Sequence, residues 1–160
     1  NSLNKTLKEN YDYKIILALL IIDKTDNYDF FCYKYKLPNH IKKLFKVISK
    51  NFKSLKDKNF YKTKNIKKLI YFNDKEIVKN ILLFAICVNK KLKEIDLEKL
   101  LIYVYTCKIS IFPISGEDLK KQGYTSGPTL GNKLRLLEER WIENDFVIDN
   151  ELLDKSSHKN

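Results

Sequence analysis

Glycine is confined to one short stretch of this chain. All four glycines, Gly116, Gly123, Gly127 and Gly131, lie within sixteen residues, and two of the three prolines, Pro113 and Pro128, lie among them. Glycine and proline are the strongest punctuation of local structure, and here they parse as a helix, a tight turn and a second helix. Ser115 has the chemistry of an N-cap, and Asp118, three residues on, closes a capping box. Gly123 stands where a left-handed residue ends the short helix. Thr125, Ser126 and Gly127 turn the chain, and Pro128 takes the first position of a helix that runs to about residue 143. On that helix Leu130, Leu134, Leu137 and Trp141 recur at four-three-four spacing, which predicts one apolar stripe with Trp141 buried.

The rest of the chain reads with helical spacing, and neither an internal repeat nor strand alternation is found. Residues 14–24 are apolar on almost every side and predict a buried helix. Pro38 and Asn39 open a helix through about residue 53, with Ile41, Leu44, Phe45 and Ile48 as its inner stripe. Further helices are predicted over 63–72, over 75–88 behind an Asp74 cap, and over 97–107 behind an Asp96 cap. The fold class is therefore all-α. A multi-helix body over 11–109 precedes a helix–tight turn–helix tail over 110–148, with 1–10 a remnant of a preceding segment and 149–160 a flexible C-terminus.

Two acidic clusters invite a metal and are read otherwise. Asp23, Asp26 and Asp29 lie where one helix ends and the next begins, so solvated capping explains them. Glu94, Asp96 and Glu98 would share a face on a strand and could pair two metal ions there. At a helix start they favour the positive end of its dipole instead. Cys32, Cys87 and Cys107 are odd in number and set among apolar neighbours, as small core residues of a reducing compartment are. His40 and His158 have no ligand-spaced partner, so no metal site is expected. The longest apolar run, 15–22, is too short for a bilayer and follows no signal peptide, which points to the cytoplasm and away from a membrane. The chain contains no methionine and is expected to be a piece of a longer protein.

Charge supplies the functional signal. The net charge is +11, yet residues 31–70 alone carry thirteen Lys and one Asp, a net of +12. A block this one-sided attracts a polyanion. The competing explanation is compositional: 29 Lys against two Arg and two Ala is the profile of A- and T-rich coding. Within the block Lys43, Lys46 and Lys50 share a helix face, Lys42 and Lys53 flank it, and Lys64, Lys67 and Lys68 edge the next helix. The bare turn at Ser126 and Gly127 leads into a helix whose first backbone N–H groups form a seat for phosphate. Lys120, Lys121, Lys133 and Arg135 are close enough in sequence to deepen it. Here too a structural alternative stands: Gly131 would let two backbones approach, and Arg135 or Arg140 would pair with Glu138, Glu139 or Glu143 along their own helix.

The strings FPISGEDL (112–119), GYTSGPTLG (123–131) and LEERWI (137–142), followed by Phe146, resemble the C-terminal part of the bacterial tRNA nucleotidyltransferase (CCA-adding)/poly(A) polymerase family. Ser126 stands where that family commonly has a proline. Residues 11–109 resemble the family's helical body in a less specific way. The resemblance implies an all-helical body and tail that hold RNA, tRNA above all, against a nucleotidyltransferase head. In the family that head uses ATP or CTP with Mg²⁺. No head motif is present here, so no catalytic residue and no cofactor is assigned to this chain. The resulting expectation is an RNA-positioning piece, with the head in the same or a separate chain. The alternatives are a non-catalytic helical scaffold or protein-interaction domain, and a separately encoded RNA-binding subunit.

Overall fold

Short-range capping chemistry sets several of the helix boundaries in this protein. The computed structural model describes residues 12–23, 25–89 and 97–147. The readings placed on Glu94, Asp96, His158 and the two ends therefore lie outside the described residues. Among these residues the secondary structure is entirely helical: α1 (Tyr13–Ile21), α2 (Asn27–Lys34), α3 (Asn39–Asn51), two 3₁₀ turns (Ser54–Lys56 and Lys58–Tyr61), α4 (Thr63–Phe72), α5 (Lys75–Val88), α6 (Leu97–Thr106), α7 (Gly116–Lys121) and α8 (Pro128–Glu143). The helix expected over 39–53 stops at Asn51, and Pro38 is its N-cap, in extended backbone just outside the helix.

The chain divides after Cys107 into two compact units. In the first, α5 is the central element. Ile77, Val78, Ile81, Leu82, Leu83, Phe84 and Ala85 are all buried on it, and α1, α3, α4 and α6 pack around it. Asp74 starts α5 by accepting the Ile77 N–H at 2.7 Å. The end of α5 is tied to the 3₁₀ turns through one carbonyl: the Leu55 oxygen accepts Tyr61 Oη–H at 2.6 Å and Asn89 Nδ2–H at 3.0 Å. Burial pushes the Tyr61 phenol far above its ordinary range, so it stays a donor throughout the usable pH range.

The first helix is only partly buried, against the burial on all sides that its sequence predicts. Ile15 and Ala18 of α1 and the following Ile22 are buried, but Tyr13, Ile16 and Leu20 are exposed, Leu20 to 77%. An apolar sequence makes a helix eligible for the centre of a bundle, and the number of neighbours that reach it decides whether it is there. Those neighbours gather round α5.

The second unit holds α7 and α8. Its capping box is complete: Ser115 Oγ accepts the Asp118 N–H, and the Asp118 carboxylate accepts the Ser115 N–H at 2.9 Å. At the other end of α7 the Gly123 N–H meets the Lys120 oxygen and the Tyr124 N–H meets the Leu119 oxygen. Gly123 has φ +93°, as this helix-ending motif requires. The same bond pattern ends α2 at Lys36 (φ 49°) and α8 at Asp145 (φ 55°), where no glycine advertises it. Leu119, Leu137, Trp141, Ile142 and Phe146 form the core of this unit. Trp141 is 2% exposed, as its stripe predicts. Its ring lies 5.3 Å from Phe112 and 4.9 Å from Phe146.

The capping box makes this unit acid-sensitive. Hydrogen bonds from the Ser115 side chain and backbone hold Asp118 below the ordinary carboxylate value of 3.8. A lowered folded value means that the stabilisation is complete above that ordinary value and is lost as pH falls through the folded one. Ser115→Ala is expected to destabilise the second unit by about 1 kcal/mol at pH 7. The deficit should shrink on acidification below about pH 4, where the parent loses the same bonds. Amide exchange of the first turn of α7 at pH 7 and pH 3 measures both.

Candidate nucleic-acid interface

The lysine block resolves into one ordered face and several scattered positions. On α3, Ile41, Leu44, Phe45 and Ile48 are buried. At 3.6 residues per turn, Lys42, Lys43, Lys46 and Lys50 fall in an arc of about 100° on the opposite side. Lys43, Lys46 and Lys50 are exposed and Lys42 is half-buried. The buried stripe anchors the helix with roughly 1.5–3 kcal/mol per side chain, so the lysines ride on a fixed support. Lys53 lies beyond the helix end, between α3 and the first 3₁₀ turn.

Lys43 has a partner that its own helix does not reveal. Its Nζ lies 3.7 Å from the Asp74 carboxylate at the start of α5, with side chains 53% and 57% exposed. A pair this exposed contributes between zero and about 1 kcal/mol, so a phosphate can take the ammonium from it. On α4, Lys64 and Lys68 are exposed and Lys67 is half-buried, away from the buried Ile66 and Ile70. Both α3 and α4 pack on α5, and the two lysine sets ride on separate helices.

The turn at Ser126 and Gly127 is exposed and carries no side-chain cap on α8. With Pro128 at the first position, the N–H groups of Thr129 and Leu130 head the helix without an intrahelical acceptor. The cations expected to deepen this seat have local partners instead. Lys120 Nζ donates to Glu117 at 2.7 Å, Arg135 Nη1 pairs with Glu139 at 3.3 Å, and Lys133 Nζ sits 5.9 Å from the centre of the Tyr124 ring. Lys121 is exposed, and its charge acts on Asp118.

The glycines divide by role. Gly131 does not serve close packing, because a Cβ there would meet nothing within 4 Å. Gly116 lies against α8, where a Cβ would make ordinary contact with Leu130 at 3.4 Å and Leu134 at 3.8 Å. Gly127 combines φ +136° with ψ −167°, a region open essentially to glycine alone. It also has open space around it, so a side chain there would be strained without clashing. Gly127→Ala is expected to cost about 1–3 kcal/mol of second-unit stability, read by thermal unfolding.

Two cavities adjoin the lysine face. One, of about 460 Å³, lies between α2 and the start of α3 and is lined by Asp26, Asn27, Asp29, Phe30, Cys32, Tyr33 and Lys42. The capping reading of the acids beside it holds in part. Asp23 accepts the Thr25 N–H at 2.7 Å and the Thr25 hydroxyl at 2.6 Å, which holds its carboxyl below the ordinary range. Asp29 lies in the first turn of α2, whereas Asp26 stands at the N-cap without making a side-chain capping bond. The other cavity, of about 290 Å³, brings His40 and Lys43 together with Lys14, Asp74, Glu76 and the buried Asn80. Burial opposes the charge on Asp12, but the hydrogen bond and charge of Lys14 outweigh it and lower the Asp12 carboxyl. No group of three or more metal-ligating side chains occurs among the described residues, and no described helix is long and apolar enough to cross a membrane.

These features define an all-helical chain with a lysine face and an uncapped glycine turn. Compared with protein-family models, curated proteins and solved structures, the chain matches none.

Proposed function

We propose that this chain is a non-catalytic RNA-holding domain that positions a structured RNA, of which tRNA is the best candidate, for an enzyme acting on its 3′ end. The observation that carries the reading is the α3 face. Lys42, Lys43, Lys46 and Lys50 project from one side of a helix whose other side is buried. Four lysines within one arc, on a rigid element, present a continuous positive surface to a phosphate backbone. The resemblance of 112–142 to the tRNA nucleotidyltransferase/poly(A) polymerase family supports the same reading, and so does the uncapped start of α8 at Gly127. The partner head, in the same or another chain, would supply ATP or CTP chemistry with Mg²⁺. This domain would contribute catalysis by positioning alone.

The test is competition. The chain is expected to bind tRNA with a steep salt dependence and to prefer it over heparin at equal charge concentration. With ATP, CTP, Mg²⁺ and tRNA it is expected to incorporate no nucleotide. Equal affinity for heparin and tRNA would reduce the face to a generic polyanion binder. Robust incorporation by a clean preparation would overturn the division of labour.

One observation favours a second reading, a protein-docking helical domain. Tyr13, Ile16 and Leu20 form an exposed apolar stripe on α1, the kind of surface that marks a protein contact.

A further inference from the structure

Two exposed aromatic rings gather beside lysines on α2. Phe30 is 68% exposed and Tyr33 is 82% exposed. Three residues apart on α2, they lie on one face, and both line the 460 Å³ groove that Lys42 also lines. Lys42 also belongs to the α3 lysine face, so the groove opens beside that face. Lys34 and Lys36, both exposed, follow within a few residues. Phe31 and Tyr35 pair with each other at 4.5 Å, and the rings that line the groove are Phe30 and Tyr33.

We propose that this groove takes one unpaired nucleobase of the bound RNA, stacked on Phe30 and Tyr33 with Lys42 on its phosphate, and that it prefers guanine to uracil. The inference rests on the RNA-holding reading and adds a single-stranded subsite to it. Stacking of bases on exposed aromatic rings, with cations along the backbone, is how proteins hold unpaired nucleic acid. The groove volume lies within the range of small-ligand sites.

The other side chains of the groove decide the occupant. A lipid or an apolar protein surface would have to desolvate Asp26, Asp29 and Lys42 without replacing their hydrogen bonds, which is unfavourable. A basic peptide would meet Lys34, Lys36 and Lys42 in a neighbourhood of strongly positive charge. An RNA base meets neither obstacle. Ionised carboxylates only accept hydrogen bonds. The Watson–Crick edge of guanine offers them two adjacent N–H donors, whereas uracil offers one N–H between two carbonyl oxygens that a carboxylate repels. Asp26, whose side chain makes no capping bond on α2, is the residue assigned to that edge.

The experiment compares an RNA hairpin with blunt ends against the same hairpin carrying a short 3′ extension of guanines or of uracils. Each is titrated with the full chain at fixed salt. On the parent chain the guanine extension is expected to raise affinity about tenfold over the blunt hairpin, and the uracil extension by clearly less. Phe30→Ala combined with Tyr33→Ala should abolish the gain and leave blunt-hairpin binding unchanged. These rings are exposed, so helicity and Tm should hold. Asp26→Asn should erase the preference for guanine while the extension still helps. The inference is overturned if neither extension strengthens binding by the parent, if the gain survives loss of both rings, or if uracil serves as well as guanine. In each of these outcomes blunt-hairpin binding that still responds to salt leaves the RNA-holding reading standing. Failure of the parent chain to bind any hairpin removes both.

Discussion

Replacing Trp141 with alanine is expected to unfold residues 108–147 and to leave residues 12–107 folded. The indole is almost fully enclosed and touches the rings of Phe112 and Phe146. Truncating a buried aromatic to alanine costs about 3–5 kcal/mol. At roughly 0.05–0.15 kcal/mol per residue, a unit of about 40 residues has only about 2–6 kcal/mol to lose. Loss of the indole therefore removes most or all of the stability of the second unit. The first unit has its own core around α5, including Phe45, Phe84 and Leu82. In a two-dimensional NMR spectrum the amides of α7 and α8 should collapse to unfolded positions while those of α3 and α5 stay in place. Trp141→Phe, which retains a ring, should keep both sets dispersed with a lower Tm. Simultaneous loss of both sets in the alanine variant would mean that the two units fold as one.

Substituting Lys43, Lys46 and Lys50 together by glutamine is expected to flatten the salt dependence of tRNA binding with little change in stability. Each phosphate neutralised on a duplex contributes about 0.9 to the slope of log affinity against log salt, so three contacts contribute about 2.7. Between 50 and 200 mM salt, the parent should then lose about fortyfold more affinity than the variant. Stability should change by no more than about 1 kcal/mol, because all three side chains are exposed and, among the described residues, only Lys43 has an ion-pair partner, Asp74, which is itself exposed. Fluorescence anisotropy with labelled tRNA at four salt concentrations measures the slopes. If the variant keeps the parent slope, the lysine block is compositional. The RNA-holding reading would then rest on the Gly127 turn alone.

The features of the interface were legible to different depths. The α3 lysines could be placed because the inner stripe of Ile41, Leu44, Phe45 and Ile48 orients the helix, and the opposite side follows from its period. The tail cations were not legible in the same way. Lys120 and Lys133 looked available beside the glycine turn, but each has a partner one turn away or across the turn, and Arg135 takes the alternative read for it, a pair with Glu139 on its own helix. The Lys43–Asp74 pair joins residues 31 positions apart, a juxtaposition that no local pattern contains. The groove at Phe30 and Tyr33 carried a signal, a run of five aromatic residues over 28–35 that alternates with lysine at 33–36. What the sequence leaves open there is which of the five rings in that run face solvent.

The sequence by itself determined the helical class and most helix boundaries. Asp74, Ser115 with Asp118, Gly123 and Pro128 act through bonds to backbone atoms within a few residues, and such bonds form wherever the chain is helical. Burial of Trp141 was equally local, because one stripe on one helix has only one inner side. The end of α8 near residue 143 was read correctly, whereas the helix end at Lys36 escaped this reading. Lys36, like Asp145, takes the left-handed conformation that glycine adopts freely, within local backbone bonds that no residue type announces. Only the tertiary structure decided which apolar helix is central. The residues of α1 and α5 are both apolar enough for the interior, and α5 is enclosed because α1, α3, α4 and α6 all reach it. Enclosure depends on how many neighbours the topology brings to a helix, a quantity that the helix's own sequence does not contain.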